Sequence, residues 1–317
     1  MKSSFEIAGL RVEPGQRRAE VLELVCAGVP LKMPLYVLNG AGEGPTLVVT
    51  AGIHGAEYVG IEAALRLAQR TDPQALRGQL VVAPIASQLA FAKRAIYICP
   101  PDGKNLNRCF PGNPAGTFAE QLADWIFTNL IRHADFYLDL HGGDMNEALI
   151  PFSIVRRSGN AALDDRSLAL SQAFGLPYVV GSVVRGSTYA AATELGIPSV
   201  LAEVGGQGLW PEDQVRQMSE GLARAMRHLG LSSQTAPPAP PTRLLEEMHW
   251  LRSEHDGLFY PQVAVGERVE AGQALGRVAD YLGNSLQAVV APADGVVLFL
   301  VTTLAMNQGD PLLAVGA

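Results

Sequence analysis

From Thr46 to Leu229, short runs of consecutive apolar residues alternate with stretches of helical period, and this alternation is the tightest constraint on the fold. Thr46–Thr50, Leu80–Pro84, Phe136–Leu140 and the stretch from Ser199 read as strands. Between and after them, Ile61, Ala64, Leu65 and Ala68 fall at i, i+3, i+4 and i+7. Leu122, Trp125, Ile126 and Leu130 share one face of a helix over Phe118–Arg132. Further helices are expected over Leu163–Phe174, Ser187–Leu195 and through Val215, Met218, Leu222 and Ala225. Strands with apolar residues on both faces need cover on both sides. The expected fold class is therefore α/β: a mixed, mostly parallel sheet with helices on both faces. Upstream, Arg18–Cys26 and Leu31–Leu38 read as extended, with a glycine-rich turn at Gly40–Pro45 leading into the strand at Thr46.

Composition shifts after that region. Residues 232–242 form a proline-rich, uncharged stretch suited to a semi-rigid linker. Beyond it no helix is readable, and short β-runs at Gly257–Tyr260, Ala274–Val278, Leu286–Val290 and Gly295–Val301 are punctuated by glycine. The division expected is an α/β catalytic domain over 1–231, the linker over 232–242, and an all-β domain over 243–317. A chain of 317 residues, 48% hydrophobic and 17% charged, has ample core for two such units. Its net charge of −7, without a lysine or arginine run, argues against nucleic acid as a partner. Residues 1–9 lack the apolar core of a signal peptide, and no apolar run is long enough for a membrane, so no membrane partner is expected. Cys26, Cys99 and Cys109 show no paired spacing, which suits a cytoplasmic location. The same fact argues against a cysteine-based metal site, so a metal would need histidine and carboxylate.

Such residues occur at strand ends. His54 and Glu57 lie on the turn after Thr46–Thr50, with Gly52 and Gly55 letting it bend. His141 ends the strand Phe136–Leu140, and Glu203 closes the strand from Ser199. Ligands of open α/β sheets collect beyond the carboxyl ends of strands. A catalytic zinc takes three protein ligands and keeps an open position, so His54, Glu57 and His141 are its candidate ligands. Asp139, two residues before His141, shares its face of the strand and is placed to orient a ligand imidazole. Glu203 is the candidate general base. The long irregular stretch Ser87–Pro114 carries Asn105, Asn107 and Arg108, groups suited to gripping a carboxylate. Singly, each has an ordinary reading: a loop histidine, a helix-dipole glutamate, a capping aspartate, turn asparagines. Convergence on strand ends favours chemistry. His133, His228, His249 and His255 lack such placement, and Cys109 reads as packing.

Gly52-Ile53-His54-Gly55-Ala56-Glu57, Asn105-Leu106-Asn107-Arg108-Cys109-Phe110-Pro111-Gly112, Asp139-Leu140-His141-Gly142 and Ala202-Glu203-Val204-Gly205-Gly206 stand in this order. With these motifs the chain resembles the succinylglutamate desuccinylase/aspartoacylase family, which shares the zinc carboxypeptidase fold. The resemblance implies one zinc held by His54, Glu57 and His141, with Glu203 as general base. It implies hydrolysis of a small N-acyl amino acid to a carboxylate and a free amine, with Asn107 and Arg108 on the substrate carboxylate. Aspartoacylases carry an arginine shortly before the Asn-Arg pair; here Arg94 is the nearest arginine, expected as oxyanion stabiliser, and Lys104 the nearest cation. The Asp102-Gly103-Lys104-Asn105 form resembles the bacterial branch with the deacetylases of ectoine breakdown. The alternative activity is a zinc carboxypeptidase acting on peptides. Val265–Leu275 and Ala291–Val297 resemble a lipoyl/biotinyl-type β-sandwich, but no lysine follows Lys104, so a carrier role is impossible. A cap on the active site, or a contact within a homo-oligomer, is the expected role.

Overall fold

The computed structural model describes residues 2–317. Nine strands form one sheet, in the order Arg243–Leu245, Tyr178–Ser182, Phe152–Arg156, Ser199–Glu203, Phe136–His141, Gly42–Ala51, Arg77–Ala83, Val29–Asn39 and Gln16–Cys26. The four central strands run parallel. Direction reverses on either side of them, at Phe152–Arg156 and at Val29–Asn39. The sheet is thus mixed and mostly parallel, as the apolar runs imply.

Side chains alternate across the sheet, so one strand feeds two cores. Val48, Val81 and Tyr137 face one layer, with Leu122 and Ile126 of a helix over Phe118–Asn129. Leu47, Val49, Val82, Leu138 and Leu140 face the other. That second layer holds α1 (Tyr58–Arg70) and two further helices, Ala161–Phe174 and Glu212–His228. In the last of these, Val215, Met218, Leu222 and Ala225 are fully buried, as their spacing predicts.

Some elements escape the sequence reading. Ser87–Pro114 is not wholly irregular: it holds a six-residue helix, α2 (Gln88–Lys93), and a 3-10 turn at Leu106–Arg108. Both are too short to show a period. Strands at Glu147–Leu149, Phe152–Arg156 and Tyr178–Ser182 carry Ser153 and Gly181 within them and break the apolar pattern.

The C-terminal region is all-β, with its strands in two antiparallel sheets. They enclose Phe259, Leu275, Val278, Val297, Leu313 and Val315. The border expected at residue 243 is crossed in both directions. Arg243–Leu245 pairs with Tyr178–Val180 and extends the large sheet. Glu147–Leu149 leaves the α/β part and pairs with Phe299–Val301. Phe152, Val180, Leu245, Val296 and Leu298 form a shared apolar seam. Leu298 is fully buried there. Leu298→Ala should therefore lower stability by roughly 2–5 kcal/mol, checked by urea unfolding against the parent chain.

Candidate active site

Strand register brings the site together. Thr50 lies opposite Asp139, and Glu203 opposite His141, so three strands end at one edge of the sheet. Gly52, at φ +63, turns the chain out of the first strand, and Glu57 stands at the N-cap of α1. Glu57 does not cap its helix. It bridges two imidazoles instead: Oε1 is 2.7 Å from His54 Nδ1, and Oε2 is 2.8 Å from His141 Nδ1. Oε2 also accepts the Gly142 N–H at 3.2 Å. The imidazole centroids are 4.9 Å apart, edge to face. One ligand atom from each of His54, Glu57 and His141 lies within 4.8 Å of the others. The side chains of Glu57 and His141 are almost wholly shielded from solvent.

The outward nitrogens are also engaged. His141 Nε2 is 2.8 Å from Asp139 Oδ2, and His54 Nε2 is 3.1 Å from Asn105 Oδ1. Asp139 is itself held by the hydroxyls of Thr50, at 2.6 Å, and Thr188. Each imidazole is therefore anchored at Nε2 and presents Nδ1 inward, the arrangement that supports metal-ligating histidines. The electrostatics agree. Burial alone would raise the Glu57 carboxyl, but the charges of His141 and His54 and their hydrogen bonds hold it at about 2. Burial opposes an imidazolium at His141, yet Asp139 and Glu57 raise its pKa well above the ordinary value. The pocket favours positive charge, and this donor set of two nitrogens and a carboxylate oxygen can hold a metal ion.

Glu203 differs from these groups. Its Oε2 is buried and has no hydrogen-bond partner. Burial, with Glu57, Glu147 and Asp139 nearby, pushes its carboxyl well up, although His141 opposes this. A half-buried carboxylate with one unpartnered oxygen, beside a group that can hold a metal, is suited to taking and returning a proton.

The loop residues divide. Asn107 is buried, with Oδ1 accepting the Thr188 N–H at 2.9 Å and Nδ2 packed 3.4 Å from His141 Nε2. Asn105 and Arg108 line an open cleft with Lys104, Cys109 and Asn113. Lys104 is tied to Glu120 at 2.8 Å. Arg94 is the exposed left-handed C-cap of α2, at φ +52, on a helix that packs against the His54 turn at Gly55. The sequence reading misses Tyr97, Asp144 and Glu147. Tyr97, at φ +49, donates its N–H to Asp144 Oδ2 at 2.8 Å. A tyrosine held in the left-handed region marks a functional position only once the backbone is known.

This fold and this site define an α/β catalytic domain with a place for a metal. Residues 43–229 match the model of the succinylglutamate desuccinylase/aspartoacylase catalytic domain, and the chain belongs to that family. It is 31% identical over 292 residues to the N-alpha-acetyl-L-2,4-diaminobutyric acid deacetylase of Halomonas elongata, covering 89% of this chain and 85% of that protein. Among solved structures it is similar to the succinylglutamate desuccinylase/aspartoacylase of Rhodobacter sphaeroides (26% identity, TM-score 0.86, 98% of each chain). It is also similar to the product-bound ectoine utilization protein EutE (DoeB) of Ruegeria pomeroyi (29% identity, TM-score 0.86, 95% of each chain). No helix among the described residues is long and apolar enough to cross a membrane.

The Asp139 anchor yields a test. Asp139→Asn should leave the fold intact but weaken divalent-metal binding by roughly 10–100-fold, read by competition with a chromophoric chelator.

Proposed function

We propose that the chain is a zinc-dependent deacylase that hydrolyses the amide of a small N-acyl amino acid. An N-acetylated amino acid related to 2,4-diaminobutyrate is the first candidate, because a relative covering most of this chain carries that activity in its name. The observation that carries the reading is the unpartnered Glu203 carboxylate beside the His54–Glu57–His141 group. Those three residues would hold the zinc, which supplies a Lewis acid and lowers the pKa of water.

The chain's own residues account for the remainder. Glu203 takes the proton of the attacking water and returns it to the departing amine, whose expulsion as an anion would otherwise be prohibitive. Burial suits it to both tasks, because a carboxyl pushed up from its ordinary range is a better base and remains a usable acid. Arg108 and Asn105, on the cleft, bind the substrate carboxylate and fix the acyl group against the site. Asp139 holds His141 in place by accepting its Nε2–H, and Asn107 packs beside that ring.

Glu203→Gln should retain metal and lower kcat by roughly 10²–10⁴ on an N-acetyl amino acid, followed by release of free amine. A rate near that of the parent would remove Glu203 from the mechanism. The same assay, run on dipeptides and with a chelator, separates deacylation from carboxypeptidase activity and tests the metal requirement.

A further inference from the structure

Glu147 is a buried acid with no role in the chemistry above. It is 7% exposed. It lies against both loops that carry the site: a Cβ on Gly143 would come within 2.7 Å of its carbonyl oxygen, and one on Gly206 within 2.3 Å. It is close enough to Glu203 for that carboxyl to feel its charge. Its Oε2 accepts one hydrogen bond, from the Asp144 N–H at 2.8 Å. Among the described residues, no lysine, arginine or histidine forms an ion pair with it. The strongest charges acting on it, Glu57 and Asp144, are both negative.

Two further oxygens lie with it. The Tyr97 hydroxyl stands beside the Glu147 carboxylate and is 3.5 Å from Asn146 Oδ1. Tyr97 reaches this place only from a left-handed backbone conformation, which its N–H bond to Asp144 secures. The backbone under Glu147 is fixed as well. Val301 pairs with Glu147, and the Thr302 N–H donates to Asn146 O at 2.7 Å. A carboxylate, a phenol oxygen and an amide oxygen are therefore grouped against the two loops that follow His141 and Glu203. An alkylammonium group has three donors and no acceptor, the complement of such a grouping. A carboxylate in this setting is costly without a cation and favourable with one.

We propose that Glu147, with Tyr97 and Asn146, is the subsite that receives an ammonium group on the side chain of the substrate, and so selects diamino acids over neutral ones. This rests on the deacylase reading. The substrate in the name of the Halomonas elongata relative is acylated on its α-nitrogen, which leaves the 4-amine free and cationic at neutral pH.

The test compares kcat/KM for N-α-acetyl-2,4-diaminobutyrate with that for N-α-acetyl-2-aminobutyrate, which lacks only the second amine. The parent chain should prefer the diamino substrate by roughly 10–100-fold, the range of a hydrogen bond to a charged group. Glu147→Gln should lose that preference by slowing on the diamino substrate alone, with metal content unchanged. Tyr97→Phe should lose part of it. Equal losses on both substrates in Glu147→Gln would make Glu147 a structural strut and overturn the subsite. The parent chain keeps the proposal testable without any variant: equal cleavage of both compounds overturns the subsite and leaves the deacylase standing. Cleavage of neither overturns both.

Discussion

One carboxylate ties the site together. Glu57 touches both imidazoles, which stand 87 residues apart in the chain and meet because adjacent parallel strands end in register. Its reach depends on how closely α1 lies on the sheet. A Cβ at Gly60 would come within 2.9 Å of Leu140 O, so a larger residue there would lift the helix and draw Glu57 away from His141. The apolar layer under α1, built from Val59, Ala63, Ala64 and Leu140, therefore does more than stabilise the fold. It sets the distance across which two histidines and an acid meet, and packed interiors leave little slack for such a distance to drift.

The parts of this arrangement that could be read in the sequence were those with a local signature. Strands apolar on both faces and helices with a clear period locate the central sheet, and strand-end histidines then follow from the general behaviour of open α/β sheets. His54, Glu57, His141, Asp139 and Glu203 all have such signatures, and the geometry brings them to one place. Asn107 has one too, but the structure shows its carboxamide engaged with Thr188 and packed beside His141. Arg94 was reached only by nearness in sequence to a motif, and it stands as the exposed left-handed cap of a six-residue helix. Thr50, Thr188, Tyr97 and Glu147 were invisible for a different reason. Their partners lie across strand registers and loop crossings, between 47 and 89 residues away in the cases of Tyr97 with Asp144 and Thr50 with Asp139. No local pattern encodes such pairs.

The C-terminal sandwich illustrates the same limit. Its strands were legible as an all-β region, but not its attachment. The segment after His141 runs directly from the site into the sandwich: Gly143 and Asp144 stand in the first, and Glu147–Leu149 pairs in the second. The Gln207 N–H, just beyond Glu203, donates to both Asp144 O and Glu147 O at 2.9 Å. The loop bearing the possible base is thus braced by a strand that the second unit holds in place. A cap laid over a finished site would leave its walls unchanged when removed; this one supplies the pairing that holds a wall in position.

Four buried carboxylates and the half-buried Glu203 surround this site, and the number of donors each receives separates them. Glu57 has two imidazoles and a backbone N–H. Asp139 has two hydroxyls and an imidazole. Asp144 has two backbone N–H groups, from Tyr97 and Met145. These three are satisfied from within the protein, as buried polar groups must be, and they hold geometry. Glu147 has one backbone N–H and a phenol beside it, and burial lifts its carboxyl to about 7. Glu203 keeps one oxygen with no donor at all. A folded chain leaves a buried acid oxygen such as Glu203 Oε2 without a donor at a cost that a partner from outside the chain offsets. The descending series therefore runs from framework to function: the acids with the fewest internal partners are those whose partners must arrive with substrate and water.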